Sequence, residues 1–418
     1  MKSVAIIGAG AAGCFCAALL REWRPDLSIT LFEAGPRPMA KLAITGGGRC
    51  NLTNDFQGIR SLAEAYPRGE RVMKRALKAF SQEDTIQWFT GHGVPCVLQE
   101  DHCWFPQSQD AMDVVRCLQR SMKRAELRLK TPAITLSKET EACSASAKKK
   151  ADATTKHTSV FSNNKALHVN GEPFDFAVVT TGGAVKGLPF LEDLGLEIVP
   201  SVPSLFTFNI PDKSLTDLMG LVVEAQITLS GTPFKASGPL LITDWGLSGP
   251  ATLKLSSYAA RHLAETGYQG TVAVNWLNRN ENDARTCLQQ TAAGNPQKQV
   301  SNTPLLQSRL WKSLIRKASL REDIRWAELG SKGLNRLTAI LTNDIYTMTG
   351  KSKFREEFVT AGGVALSNLD LNTLECKAHP GLFFAGEVLD IDAITGGFNL
   401  QAAWSTAYVC AQTVTKSL

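Results

Sequence analysis

The chain has 418 residues, enough for two or three domains at about 150 residues each. Its composition, 44% hydrophobic and 20% charged, is typical of a globular protein with a large core and excludes a disordered, collagenous or coiled-coil chain. The net charge of +6 is too diffuse to require a polyanionic partner. The densest basic run, Lys148–Lys150, lies among Ala, Ser and Thr residues and is interpreted as part of a solvated loop.

The ten cysteines are scattered and form no C-x-x-C pair, which argues against a zinc site or a dithiol redox motif. This usage is typical of reduced thiols and predicts a cytoplasmic protein. Lys2 and the apolar run before Cys14 resemble a lipoprotein signal, but Gly8 and Gly10 interrupt that run. The sequence has no run of about 18 apolar residues, so no membrane span is predicted.

Hydrophobic periodicity predicts a strand at Val4–Ile7, a helix that ends near Pro25, and a second strand at Ser28–Phe32. This βαβ unit implies a parallel sheet with covered faces. The other elements predicted before residue 190 are helices at Glu70–Gly91 and Asp110–Arg124, strands at Leu127–Leu136 and Phe174–Thr180, and a long loop over residues 137–159.

The pattern changes after residue 190. Short alternating segments with Pro and Gly between them predict antiparallel strands, in a barrel or a sandwich, at Ser204–Ile210, Leu221–Leu229 and Thr271–Trp276. Residues 281–350 have helical patterns, including Leu305–Lys317 and Leu334–Met348. Gly381–Ala385 is a predicted buried strand, and a last helix begins near Gly397. This order predicts a parallel-sheet domain interrupted by a β and helical insert.

The first motif is G-x-G-x-x-G at Gly8–Gly13, directly between the first strand and the first helix. The first glycine allows a tight turn, Gly10 allows a pyrophosphate to approach the backbone, and Gly13 allows the helix to pack on the strand. The helix N-terminus would present N–H groups to that pyrophosphate. Glu33 ends the second strand, where a carboxylate would accept ribose hydroxyls. An acid there argues against a 2′-phosphate, so the predicted nucleotide is FAD or NAD.

Two further segments contain residues that could contact a cofactor. In the C-terminal part, Phe383–Glu387 is a strand that runs into an acidic turn, and Gly396 and Gly397 precede the last helix, whose N-terminus could face flavin N1. Taken alone, this segment is also typical of an acidic loop before a helix. In the run Lys41–Asn54, three glycines allow close approach to a ring or a phosphate, and Lys41 or Arg49 could neutralise a pyrophosphate. Cys50 is interpreted as a packing thiol beside the cofactor rather than a redox thiol.

Taken together, these motifs resemble the BaiN/RdsA-like family of FAD-dependent oxidoreductases. The resembling segments span nearly the whole chain: G-A-G-A-A-G at 8–13, T-G-G-G-R-C-N at 45–51, T-G-G at 181–183, L-S-G-P-A at 247–251, F-V-T-A-G-G-V at 358–364 and F-A-G-E-V-L-D-I-D-A-I-T-G-G-F-N-L-Q at 384–401. The resemblance implies an α/β fold in which a discontinuous Rossmann-like domain binds FAD non-covalently. It implies boundaries at 1–190 with 353–418 for that domain, 191–280 for a β-barrel-like insert and 281–352 for a small helical subdomain.

The resemblance also implies which residues contact the cofactor, one of them, Ala133, through the backbone of a predicted strand. They are Gly8, Gly10, Ala12, Gly13, Glu33, Lys41, Asn51, Ala133, Thr181, Gly182, Gly386, Glu387, Asp392, Asn399, Leu400 and Gln401. The chain departs from the family at two positions: Asp244 precedes Trp245 where members often have His, and Ala393 replaces a glycine. We therefore assign no catalytic acid or base, and no metal site.

The predicted function is redox chemistry on a small organic molecule, with hydride transfer through flavin N5. Two versions are open: an NAD(P)H-linked reductase of a conjugated carbonyl compound, or an amine or alcohol oxidase. Because the chain has no second complete G-x-G-x-x-G, NAD(P)H would bind only transiently. From another class, a flavin-binding tRNA-modifying or redox-partner protein is the alternative. We predict a small-molecule substrate, no nucleic-acid partner and no membrane association, and leave the oligomeric state open.

Overall fold

The computed structural model describes residues 1–138, 167–183, 188–351 and 359–418. The chain divides into two compact units, which we call the split unit (residues 1–201 and 359–418) and the inserted unit (residues 202–358). An α/β fold with a parallel sheet and an inserted β region is therefore confirmed. The finer division into three domains stays a prediction.

The strands, in chain order, are β1 (Ser3–Ile7), β2 (Ser28–Phe32), β3 (Thr53–Asn54), β4 (Cys96–Leu98), β5 (Cys103–Pro106), β6 (Glu126–Arg128), β7 (Leu136–Lys138), β8 (Leu167–Val169), β9 (Glu172–Phe174), β10 (Phe176–Val179), β11 (Ile198–Pro203), β12 (Phe208–Asn209), β13 (Val222–Leu229), β14 (Lys235–Ile242), β15 (Gly246–Ser248), β16 (Gly270–Asn275), β17 (Asp344–Met348), β18 (Gly350–Lys351), β19 (Thr360–Val364) and β20 (Leu382–Phe384).

The helices are α1 (Ala11–Trp23), α2 (Thr45–Gly48), α3 (Leu62–Ala65), α4 (Glu70–Ala79), α5 (Gln82–Gly91), α6 (Ala111–Ser121), α7 (Pro189–Asp193), α8 (Lys213–Thr216), α9 (Gly249–Tyr258), α10 (Ala260–Glu265), α11 (Glu281–Gly294), α12 (Ser308–Lys317), α13 (Gly330–Thr342) and α14 (Phe398–Lys416). Short 3₁₀ turns lie at Leu42–Ile44, Val300–Asn302, Trp326–Glu328, Leu366–Asn368 and Gly386–Val388.

The main sheet of the split unit has five parallel strands in the order β20-β10-β1-β2-β6. Strand β1 is central and buried from Val4 to Ile7, as a strand covered on both faces requires. Helices α1 and α14 pack against each other. Their contact includes the rings of Phe15 and Trp404, whose centroids are 5.3 Å apart. The apolar spacing that predicted α1 therefore forms part of the core.

The inserted unit contains a seven-stranded antiparallel sheet, in the order β17-β16-β13-β14-β15-β12-β18. Alternate residues of β13 are buried, as expected when one face of a sheet packs on a core. Trp276 and Trp311 are wholly buried in that core. Antiparallel strands in the insert are thus confirmed.

Two predicted helices were wrong in extent. Glu70–Gly91 is divided into α4 and α5, because Ser81 caps α5 by accepting from the N–H of Asp84, whose side chain accepts from the N–H of Ser81. The predicted helix Leu334–Met348 ends at Thr342, and Asp344–Met348 is strand β17 with alternating burial.

The predicted strands also need correction. Leu127–Leu136 overlaps the ends of two short strands, β6 and β7, which are separated by a segment in which Lys130 has φ +53° and Pro132 cannot donate a hydrogen bond. Ala133 lies in that segment and is therefore not on a strand. Of Ser204–Ile210, only Phe208–Asn209 is in a strand. Apart from its first two residues, which are in β7, the predicted loop at 137–159 lies outside the described residues, and so does the basic run Lys148–Lys150.

Candidate functional site

The predicted cofactor residues gather at the carboxyl edge of the five-stranded sheet. Gly8 follows β1, Glu33 follows β2, Thr180 follows β10 and Gly386 lies just beyond β20. Because these strands are parallel, their carboxyl ends meet at one edge. The strand order reverses between β1 and β10, and a crevice at such a point is where doubly wound folds bind ligands.

The glycine loop is tightly packed on two sides and open at its middle. Gly8 has φ +105°, and a Cβ there would lie 2.6 Å from the carbonyl oxygen of Thr180. A Cβ on Gly13 would lie 2.0 Å from the carbonyl oxygen of Gly8. A Cβ on Gly10, in contrast, would have no atom within 4 Å. The loop therefore exposes its backbone at Gly10, next to the N-terminus of α1.

Glu33 holds this loop in place. One carboxylate oxygen accepts from the N–H of Ala9 at 2.9 Å, and the other accepts from the N–H of Gly35 at 2.6 Å. A carboxylate oxygen has two lone pairs, so each oxygen retains capacity for a further donor such as a ribose hydroxyl. Glu33 thus has a structural role that its spacing from Gly13 did not indicate.

A second group of predicted residues lies beside the loop. A Cβ on Gly386 would lie 3.0 Å from the Cβ of Ala12, so the turn after β20 contacts the start of α1. The carboxylate of Glu387 accepts from the N–H of Thr360 at 2.9 Å, and its other oxygen is 3.7 Å from Nζ of the exposed Lys41. A Cβ on Gly182 would lie 3.5 Å from that same Glu387 oxygen. Lys41 is therefore placed with this group.

Thr181 carries a buried hydroxyl oxygen with no hydrogen-bond partner among the described residues. Buried polar atoms are nearly always hydrogen-bonded, so an unpartnered one needs an explanation. Thr181 lies directly after Thr180, whose own hydroxyl donates to the carbonyl of Gly8 at 2.7 Å. The unpartnered hydroxyl is consistent with a ligand group at this edge of the sheet.

The glycine-rich loop at 45–51 reaches the start of the last helix. Gly46, Gly47 and Gly48 all have φ between +58° and +83°, which favours glycine at each position. When its amide oxygen and nitrogen are assigned so that donors meet acceptors, Asn51 accepts from the N–H of Gly397 at 3.2 Å and donates to the carbonyl of Thr53 at 3.0 Å. Arg49 stacks on Phe105, with its guanidinium carbon 4.4 Å from the ring centroid.

At the start of α14, the side chains of two predicted cofactor residues form hydrogen bonds within the protein. The amide of Asn399 exchanges two hydrogen bonds with the main chain of Ala393. Gln401 is wholly buried, accepts from the hydroxyls of Thr53 and Thr85, and donates to Ser405. The first-turn N–H groups, which include that of Leu400, have no acceptor within the helix.

Asp392 is wholly buried and is paired through both carboxylate oxygens with the guanidinium of Arg68. Its charge is thus compensated within the protein. Ala133 is also buried. It lies two residues beyond Thr131, whose N–H donates to the carbonyl of Glu33 at 2.8 Å. Asp392 is therefore placed to shape the loop before α14, and Ala133 to lie near the Glu33 end of the site.

Sequence reasoning missed Arg68 and Thr360, which hold Asp392 and Glu387. Arg68 is 324 residues from its partner, and no local motif links the two. A pairing between residues so far apart in the chain can be seen only in the three-dimensional structure.

Cys50 is wholly buried, as the packing interpretation predicted, and burial raises the pKa of its thiol to about 12. Because the pKa is raised in the folded protein, deprotonation of Cys50 opposes folding. The contribution of the neutral thiol to the free energy of unfolding is present in full below the ordinary pKa of 9.0 and is lost as the pH rises towards 12. The structure therefore indicates an inert thiol, not a redox centre.

We expect Cys50 to resist alkylation by iodoacetamide in the native protein. At pH 8 a thiol with a pKa of about 12 is only about one part in ten thousand thiolate. Peptide mass spectrometry should show slow labelling at Cys50 and faster labelling at the half-buried Cys287. Labelling of Cys50 at the rate seen in denatured protein would contradict this interpretation.

No group of three His, Cys, Asp or Glu residues that could hold a metal ion occurs in the parts of the chain that the structure describes. In the same parts, no helix has both the length and the apolar character needed to cross a membrane.

Comparison with known proteins decides the family. Residues 2–413 match the family described as HI0933-like protein Rossmann domain. The chain belongs to this HI0933-like family. A ribosomal RNA dihydrouridine synthase from Escherichia coli is 30% identical, over 97% of this chain and 96% of that protein. A 3-dehydro-bile acid delta(4,6)-reductase from Clostridium scindens is 25% identical, over 98% of each chain.

The predicted family resemblance is therefore confirmed, and this member of the HI0933-like family is an oxidoreductase and a flavoprotein. A solved 3-ketosteroid delta1-dehydrogenase from Sterolibacterium denitrificans superimposes with a TM-score of 0.47 at 12% identity over 100% of both chains. That likeness is too distant to carry a functional argument. Because one relative is named for ribosomal RNA, the prediction against a nucleic-acid partner is not confirmed.

Proposed function

We propose that this chain is an FAD-dependent reductase of a carbon–carbon double bond conjugated to a carbonyl group, with NAD(P)H as its transient electron donor. The observation that carries the cofactor assignment is the glycine loop, packed at Gly8 and Gly13 and open at Gly10. A loop of this form at a helix N-terminus is suited to a pyrophosphate. The buried hydroxyl of Thr181, which has no partner among the described residues, supports a ligand at the same edge.

We assign the residues at this edge to successive parts of FAD. Gly10, Ala12 and the N-terminus of α1 would hold the pyrophosphate, and Glu33 would accept the adenosine ribose hydroxyls. Thr181, Gly182, Gly386 and Glu387 would lie along the ribityl chain. Asn51 and the first-turn N–H groups of α14 would face the flavin ring, where a helix N-terminus favours negative charge. Gln401 is left out because, unlike Asn51, it is wholly buried, and its side chain is bonded within the protein.

The reaction assignment rests on what the relatives' names share. Dihydrouridine is uridine with a saturated ring double bond, one that was conjugated to a carbonyl, and a 3-dehydro-bile acid delta(4,6)-reductase acts on double bonds conjugated to a ketone. FAD held by these residues would supply hydride transfer from NAD(P)H to the carbon β to the substrate's carbonyl, and the α carbon, which receives the electron pair of the double bond, would take a proton from solvent.

The proposal can be tested with the FAD-bound enzyme under anaerobic conditions. The flavin is first reduced with one equivalent of NADH or NADPH, and the enzyme is then mixed with a 3-oxo-4,6-diene steroid or with a uridine-containing RNA. We expect one of these to reoxidise the flavin and to yield a product heavier by two hydrogens. If both conjugated compounds leave the flavin reduced, and only a later admission of air reoxidises it, the result would contradict the proposal and favour an oxidase.

Glu33→Gln is expected to weaken FAD binding by about 1.5–3 kcal/mol, because a charged acceptor of ribose hydroxyls is lost. Since an amide oxygen cannot replace both carboxylate oxygens toward Ala9 and Gly35, we also expect a lower free energy of unfolding without FAD. FAD fluorescence titration and urea unfolding measure the two effects. Glu83→Gln, at an exposed position of α5, is the control. Unchanged FAD affinity in Glu33→Gln would show that Glu33 does not bind the ribose hydroxyls.

A further inference from the structure

Helix α4 has a strongly basic exposed face. Arg71, Lys74, Arg75 and Lys78 are all exposed, and their spacing places them on one side of the helix. The opposite side of α4 is buried through Val72, Met73 and Ala76. We call the four cations the α4 basic face.

These cations are not used to hold the fold. Among the residues that the structure describes, no ion pair joins Arg71, Lys74, Arg75 or Lys78 to a carboxylate. Glu70 is the one acidic residue of the helix. The net charge of the whole chain is only +6, so four such cations on ten residues are a local concentration of positive charge.

The α4 basic face begins beside the loop that leads to the last helix. A Cβ on Gly69, just before α4, would lie 2.6 Å from the side chain of Ile391. Arg68 is paired with Asp392, and the N–H of Ile394 donates to the carbonyl of Ala65 at 2.9 Å. Helix α4 also packs against α14. The start of α4 therefore borders the loop that leads to the N-terminus of α14, which we assign to the flavin, and the α4 basic face is on the side of α4 opposite its buried residues.

We propose that the α4 basic face binds the phosphate backbone of an RNA substrate whose base is reduced at the flavin; this rests on the proposed function. From residue 71 to residue 78 the helix rises about 10 Å, and a duplex strand carries one phosphate per roughly 3.4 Å, so about three phosphates fit. An anionic membrane is the other polyanionic surface. It is disfavoured because the apolar side of α4 is already buried and cannot insert.

The test compares two variants of equal charge. In one, Arg71, Lys74, Arg75 and Lys78 are all changed to Gln. In the control, Lys213, Lys312, Lys332 and Arg336, which are exposed in the inserted unit, are changed to Gln. Binding of a fluorescein-labelled, uridine-containing RNA hairpin to the FAD-bound proteins is followed by anisotropy over a range of salt concentrations. Binding to phosphatidylserine vesicles and reduction of the 3-oxo-4,6-diene steroid are measured alongside.

We expect the α4 variant to bind the hairpin more weakly. The magnitude of the slope of log K against log salt should fall by about 2–3, at roughly 0.7–0.9 for each of about three lost phosphate contacts. FAD content should stay at the wild-type level, and so should any steroid reduction that the wild type shows. The control should keep the wild-type slope. Three results would overturn the inference: no RNA binding by the wild type, equal loss in both variants, or loss of vesicle binding with RNA binding intact. If the wild type still reduces the steroid, the proposed reaction survives that failure.

Discussion

Gly10→Ala is expected to weaken FAD binding by about 1–3 kcal/mol, because its methyl group would occupy the space where the pyrophosphate approaches the loop. At tenfold per 1.4 kcal/mol, this is roughly a five- to 150-fold rise in Kd. The free energy of unfolding of the FAD-free protein should not fall. Gly10 has φ −82° and ψ −163°, which alanine adopts without strain, and nothing lies within 4 Å of the new Cβ. Alanine should even raise its free energy of unfolding by about 0.4–1 kcal/mol.

Gly91→Ala is the matched control, because a Cβ at that exposed position also meets no atom within 4 Å. FAD titration and urea unfolding of both variants separate a ligand effect from a folding effect. Unchanged FAD affinity in Gly10→Ala would mean that the pyrophosphate does not approach this loop. Gly13→Ala should behave differently and destabilise the FAD-free protein too, because its Cβ would lie 2.0 Å from a carbonyl oxygen.

Arg68→Met is expected to lower the free energy of unfolding by about 3–5 kcal/mol, since it leaves the buried carboxylate of Asp392 without its guanidinium. Urea unfolding of the FAD-free protein measures the change. The double variant Arg68→Met with Asp392→Leu should lose less than the single one, because it also removes the buried charge of Asp392. A single variant within about 0.5 kcal/mol of wild type would show that the pair does not stabilise the loop before α14.

Much of the split unit could be predicted because its signals are local. The sequence from β1 through α1 to β2 has apolar spacings that match its elements, and Gly8 and Gly13 lie where only glycine fits. Element ends were harder to predict. The break between α4 and α5 depends on the cap at Ser81. The periodicity of residues 334–348 predicts a helix that includes β17, although Ile345, Tyr346 and Thr347 favour a strand.

The candidate site could be located from motifs but not resolved into individual side chains. The motif at 384–401 indicates a segment, yet its Asn399 bonds the main chain of Ala393 and its Gln401 is buried among hydroxyls. Which side chains of a segment face inward depends on partners such as Thr53 and Arg68, which lie more than 300 residues away in the chain. The sequence pattern contains no sign of those partners.

The most direct test of the central claim is to identify the chromophore that co-purifies with the wild-type chain. Heat-released chromophore is analysed by mass spectrometry, and its absorbance gives the amount per chain. We predict FAD at close to one per chain, because Glu33 at the end of β2 would serve an adenosine ribose, which FMN lacks. FMN alone, or no flavin even after reconstitution with excess FAD, would contradict an FAD enzyme built on this loop.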